Sequence, residues 1–179
     1  MVNENQIVLE QPELGRTVRR MAHEIIEKCG ERNALVLIGI RSRGVHLARR
    51  LARSIGEIDK STPPVAVIDV SRFRDDRVHA QAGSGAFEIE AAVDDKTVVL
   101  IDDVIYRGRT IRAAMEAVER LGQPKRILVA ALIDRGAREL PIRADIVGKN
   151  IDALEGQRIN VRLVEADGVD QVILVDWRS

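Results

Sequence analysis

Apolar residues in this chain follow two rhythms that alternate along its length. Leu14, Val18, Met21, Ala22, Ile25, Ile26 and Cys29 recur at helical spacing, with Pro12 near the start and Gly30 after the end. That spacing predicts an amphipathic helix of about four turns. Residues 34–40 are a short aliphatic run and predict a buried strand, followed by a helix with Ala48, Leu51, Ala52 and Ile55 inward. Residues 65–70 predict the next strand. Val98, Val99, Leu100 and Ile101 form an apolar run bounded by charge, which predicts a buried central strand. Ile111, Ala114, Met115, Val118 and Leu121 mark a helix stopped by Gly122 and Pro124. Residues 127–133 predict another buried strand, and shorter ones fall at 146–147, 159–163 and 171–175.

Alternating strands and helices predict an α/β fold, a central parallel sheet with helices on both faces. The last third lacks strong helices and predicts a small β-rich hood over the sheet edge. No repeat or linker divides residues 1–179, so one domain is expected. Residues 71–97 have little periodicity. A long irregular stretch inside a compact domain predicts a lid, which Gly83 and Gly85 would let move; a loose insertion or a β-hairpin is the plainer alternative.

Composition sharpens this picture. At 179 residues, 45% hydrophobic and 31% charged, the chain is long enough for a real core and is expected to be soluble. Aromatics make up only 2%, so the core must be aliphatic, as parallel sheets favour. The net charge of zero gives no global argument for nucleic acid and leaves a local basic face open. The one cysteine, Cys29, excludes a disulfide framework and a multi-cysteine metal site within the chain. No apolar run reaches about 18 residues, so no membrane span is expected. Residues 1–10 lack a signal-peptide core, and the expected address is the cytoplasm.

Candidate chemistry gathers where strands stop. The central run leads into Asp102 and Asp103, then Val104, Ile105, Tyr106, Arg107, Gly108, Arg109 and Thr110 at a turn and a helix start. Two carboxylates there can accept hydrogen bonds from vicinal sugar hydroxyls. The loop and helix start offer backbone N–H groups and a favourable dipole to a phosphate. Adjacent acids alone are also what a solvated loop looks like. A second glycine-flanked basic loop, with Arg41, Ser42, Arg43 and Gly44, follows the 34–40 strand and suits pyrophosphate by the same physics. No Walker-type lysine loop is present, and Gly83-Ser84-Gly85 lacks the third glycine of a dinucleotide fingerprint. The polar face of the first helix carries Arg16, Arg19, Arg20, His23 and Lys28, which read most simply as a solvated charged surface.

Taken together, these motifs resemble a known family. The Ala22-His23-Glu24 helix, the Arg-Ser-Arg-Gly loop, Phe73-Arg74-Asp75-Asp76, the 98–110 motif, and the block from Asp134-Arg135-Gly136 through Gly148-Lys149-Asn150 occur in one order. In that order they resemble the bifunctional pyrimidine-operon attenuators and uracil phosphoribosyltransferases, a branch of the type I phosphoribosyltransferases. The resemblance implies a type I phosphoribosyltransferase fold with a hood over the base site. It implies conversion of uracil and phosphoribosyl pyrophosphate (PRPP) to UMP and diphosphate with Mg2+. It also implies binding to pyrimidine-operon leader mRNA in response to UMP or UTP, and a homo-oligomer, dimer or tetramer.

By the same resemblance, Asp102 and Asp103 are the catalytic pair on the ribose hydroxyls, and Val104 to Thr110 cradle the 5′-phosphate. Ser42 and Arg43 hold pyrophosphate, Arg74 and Arg135 are cationic clamps, and Ile159 meets uracil by its backbone. No protein metal ligand is assigned; Mg2+ comes with PRPP. Arg19, Arg20, His23, Arg138 and Arg143 form the RNA face. The chain departs from the family at Arg107, where Thr or Ser is usual. It departs again at Ser71-Arg72-Phe73 for Thr-Leu-Tyr, at Ala137 for histidine, and at Arg19 for a small hydroxyl residue. An RNA-binding nucleotide sensor with little catalysis, and a purine phosphoribosyltransferase without RNA binding, are the alternatives.

Overall fold

The computed structural model describes residues 6–31, 34–70 and 92–176, and the backbone of 87–88. In chain order the elements are β1 (Gln6–Glu10), α1 (Gln11–Cys29), β2 (Leu35–Ile40), α2 (Arg43–Asp59), β3 (Val65–Ile68) and β4 (Phe87–Glu88). They continue with β5 (Thr97–Ile105), α3 (Arg109–Leu121), β6 (Arg126–Asp134), β7 (Ile146–Asn150), β8 (Gln157–Arg162), α4 (Val164–Asp167) and β9 (Gln171–Asp176).

Six strands form the main sheet in the order β4-β3-β2-β5-β6-β7. All neighbours run parallel except β4, which lies antiparallel on β3. The fold class is as the alternation predicts. Val98 to Ile101 are wholly buried because both faces of the sheet are covered. Val99 and Ile101 pack with α1 and α2, while Val98 and Leu100 pack with α3. Two-sided burial is why this strand is a continuous apolar run and not an alternating one.

The second sheet, β1-β9-β8, is antiparallel and forms the hood. Two differences from expectation stand out. The hood is not drawn from the last third alone, because Gln6–Glu10 supplies one of its strands. Only Leu9 of that strand is buried, so its composition gave no strand signal. Conversely, Ile146–Asn150 belongs to the main sheet, parallel to β6. Of the lid expected at 71–97, residues 71–86 and 89–91 lie outside the described residues. Phe87–Glu88 is a strand. Among the described residues no helix is long and apolar enough to cross a membrane.

The head of α2 crosses β5 at close range. A Cβ on Gly44 would collide with the Ile101 carbonyl and crowd the Asp102 Cα, so only glycine fits there. This approach brings residues 41–43 beside the end of the central strand.

Candidate active site

The strand β5 does not stop at the two acids; it runs through them to Ile105. Its alternation changes there. Before the acids, odd-numbered residues face α1 and α2; after them, Val104 joins that side and Ile105 the other. Asp102 is 7% exposed, and one of its oxygens accepts a hydrogen bond from the Asp103 amide at 3.0 Å. Asp103 is half-buried, and its carboxylate accepts from the Val104 amide at 3.0 Å. Short bonds of this kind fix both carboxylates against their own backbone.

A cavity of about 420 Å3 opens at this strand end. It is lined by Asp102, Val104, Ile105, Tyr106, Arg107, Gly108, Arg109, Thr110, Ile111, Arg135, Arg158 and Ile159. Its size is that of a small-molecule site, at the carboxyl ends of the parallel strands where ligands of such sheets lie. Ten of the residues singled out in the sequence converge on it. Ile111 and Arg158 were missed: the first looks like an ordinary core position, and the second sits beside Ile159 on a strand from the hood. Gly108 has φ of 92°, a left-handed turn that lets α3 start immediately behind the loop.

The cations around the cavity are held by specific partners. The Arg135 guanidinium lies 4.0 Å from the centre of the Tyr106 ring and donates to the Gln157 carbonyl at 2.8 Å. Its buried Nε has no hydrogen-bond partner. The Arg107 side chain is 53% exposed and is paired with Glu139 at 3.1 Å, so the residue that departs from the family pattern does not crowd the loop. Arg109 meets the same carboxylate at 2.8 Å.

Ser42 and Arg43 stand at the head of α2, after a cis peptide between Arg41 and Ser42, and neither is among the lining residues. Arg43 makes two bonds to Asp167 of the hood helix, at 2.8 and 3.2 Å. That hydrogen bond raises the Arg43 pKa against the opposing effect of burial, with the charges of Asp167 and Asp103 assisting. Arg43 thus sits between the hood and the second acid of the pair. Arg74 lies outside the described residues.

The basic set assigned to RNA does not form one open surface. Arg19 is exposed and lies 4.0 Å from Glu57. His23 and Arg143 are exposed. Arg20 bonds Glu24 and donates to the carbonyls of Val147 at 2.9 Å and Gly148 at 2.5 Å, which ties α1 to β7. Arg138 turns inward: at 18% exposure, it makes four hydrogen bonds to Asp134, Tyr106, Gly136 and Ile142. A guanidinium has five N–H donors, so almost none of Arg138 remains for an outside ligand.

Known proteins place this arrangement in a class. Residues 4–164 match the sequence model of the phosphoribosyl transferase domain, and the fold is that of the type I phosphoribosyltransferases. A hypoxanthine phosphoribosyltransferase from Trypanosoma cruzi superposes with a TM-score of 0.76 at 17% identity, over 97% of this chain and 95% of that one. A hypoxanthine-guanine phosphoribosyltransferase from Bacillus anthracis gives 0.74 at 19% identity, over 98% and 99%. Likeness at that identity is likeness of fold.

Sequence relatives are nearer. The bifunctional protein PyrR of Pelotomaculum thermopropionicum is 47% identical over 178 residues, 98% of both chains. That of Chloroflexus aurantiacus is 48% identical over 177 residues, 98% of this chain and 97% of its own. The chain belongs to the PyrR family.

Proposed function

We propose that this chain is a uracil phosphoribosyltransferase that also binds pyrimidine-operon leader mRNA in response to uridine nucleotides. The observation that carries the catalytic half is the cavity, with a buried carboxylate at its floor, a loop and helix start along one wall, and a hood strand opposite. Similarity over nearly the full length, at 47% and 48% identity, to proteins named bifunctional PyrR supports both halves. Main sheet and hood act as one phosphoribosyltransferase domain in this reading, since the cavity draws Asp102 from one and Ile159 from the other.

The reaction exchanges the bond from ribose C1′ to diphosphate oxygen for one from C1′ to uracil N1. Diphosphate leaves with the electron pair, and the N1 proton is released. Asp102 and Asp103 accept hydrogen bonds from the ribose hydroxyls and favour the positive charge that develops on the sugar ring. The amides of 104–110 and the head of α3 hold the 5′-phosphate. Arg43, whose guanidinium feels the charge of Asp103, is the cation assigned to diphosphate. The backbone of Ile159 faces the base, and the hood excludes water that would hydrolyse the activated sugar.

The donor set suits a magnesium ion that travels with substrate. Adjacent carboxylates offer the hard oxygen ligands Mg2+ prefers. Asp102 and Asp103 would hold it alongside substrate oxygens; when bound, it neutralises charge on the diphosphate. A cytoplasmic homo-oligomer, dimer or tetramer, is the setting that goes with this reading.

The decisive assay is diphosphate release from PRPP with uracil, against hypoxanthine and guanine. Release with uracil alone is expected. Release with a purine instead would move the chain to purine salvage. A gel shift with leader RNA that responds to UMP tests the regulatory half.

A further inference from the structure

Three successive carbonyls, from the last residue of β5 into the loop after it, are taken up by one neighbouring segment. The Ile105 carbonyl accepts from the Arg135 amide at 2.9 Å. The Tyr106 carbonyl accepts from the Arg138 guanidinium at 2.6 Å. The Arg107 carbonyl accepts from the amides of Glu139 and Leu140 at 3.1 and 3.2 Å. These peptides are trans, and a trans peptide sets its C=O and N–H on opposite sides.

Drawing carbonyls 105, 106 and 107 toward segment 135–140 therefore turns the N–H groups of Tyr106, Arg107 and Gly108 the other way. In a strand successive amides alternate; here three in a row share a side. Consecutive aligned N–H groups form an anion-binding concavity. All three residues line the cavity.

Within this brace, Arg138 is the one member that acts through its side chain on a loop carbonyl. It is itself fixed by Asp134 at 2.6 Å, Ile142 at 2.8 Å and Gly136 at 3.0 Å, so it holds the Tyr106–Arg107 peptide against a rigid support. Glu139 adds a second tie by pairing Arg107 and Arg109 on the outside of the loop.

We propose that Arg138 is a positioning residue of the phosphate site: it pins the Tyr106 carbonyl outward and so aims the Arg107 amide at the phosphate. This deepens the proposed function and rests on it for the identity of the ligand.

The test compares Arg138→Gln and Arg138→Lys with the parent chain, using UMP, uridine and ribose 5-phosphate as probes in calorimetry, and PRPP kinetics. Arg138→Gln is expected to weaken UMP and ribose 5-phosphate and to raise KM for PRPP by about tenfold, the scale of one charge-assisted hydrogen bond. Uridine affinity and kcat stay near parental values. Arg138→Lys, which can reach one carbonyl but not span four acceptors, recovers part of the loss.

Equal weakening of uridine and UMP would show a merely structural role and overturn the proposal. So would unchanged ribose 5-phosphate affinity. If the parent chain binds ribose 5-phosphate in an Arg138-dependent way yet releases no diphosphate with uracil, the assigned reaction falls and the brace stands.

Discussion

Asp102 and Asp103 adjoin in sequence but face different surroundings. The first is buried at the cavity floor; the second is half-buried, and its charge acts on Arg43 at the head of α2. Charge at Asp103 therefore acts on Arg43, the cation that the proposed function assigns to diphosphate. Asp103→Asn is expected to weaken PRPP by about tenfold, the worth of one hydrogen bond to a charged group, while leaving the thermal midpoint within a few degrees. Titration calorimetry beside a thermal melt checks this, and parental PRPP affinity would remove Asp103 from the site. At this scale the sequence showed which residues carry charge but not where they point. Arg138 and Arg20 look like members of a basic face, yet both guanidinia donate to carbonyls of neighbouring segments, Arg138 from a mostly buried position. Side-chain direction depends on packing partners far away in the chain, and charge patterning contains none of that information.

Elements were more legible than directions. The helices and the aliphatic strands of the main sheet are announced by period and by apolar runs, because deep burial leaves a plain mark on composition. The β1 strand left none, since four of its five residues are not buried. The link between hood and main sheet was also hidden, being made of charges separated by more than a hundred residues. Arg50 on α2 bonds Glu165 at 2.5 and 2.8 Å and Asp170 at 2.7 and 2.9 Å, beside the Arg43–Asp167 pair.

Hydrogen bonding from Arg50 holds Glu165 below the usual carboxylate range, and that from Arg43 does the same for Asp167. For Asp170, burial pushes the other way and is outweighed by Arg50 and the Val164 amide. A depressed carboxylate stabilises the fold above its unfolded value and loses that contribution as pH falls through its folded one. The latch should therefore hold at neutral pH and weaken below about pH 4. Arg50→Met is expected to cost about 1–3 kcal/mol at neutral pH, with the gap to the parent chain closing below about pH 4. Melts across pH 3 to 7 read this; a gap independent of pH would mean the arginine acts by packing alone.

For the molecule as a whole, the question is whether nucleotide and RNA share it. With Arg138 turned inward and Arg20 bonded to β7, exposed Arg143 follows the brace in sequence, and Arg19 and His23 lie on α1. Arg143→Glu is expected to weaken leader RNA at least tenfold and to lower the salt dependence of binding, since one phosphate contact is lost and one repulsion gained. UMP synthesis should stay at the parental rate. Filter binding across a salt series decides it, and loss of both activities together would place Arg143 in the fold and not on the RNA.

The pairing of Gln6–Glu10 with Gln171–Asp176 also makes the small sheet depend on segments far apart in the chain. Among the described residues β1 pairs with β9 alone, Glu10 opposite Gln171, while the parallel layer pairs strands much nearer in sequence. Closing so long a loop costs more chain entropy, so the roof is expected to form after the floor.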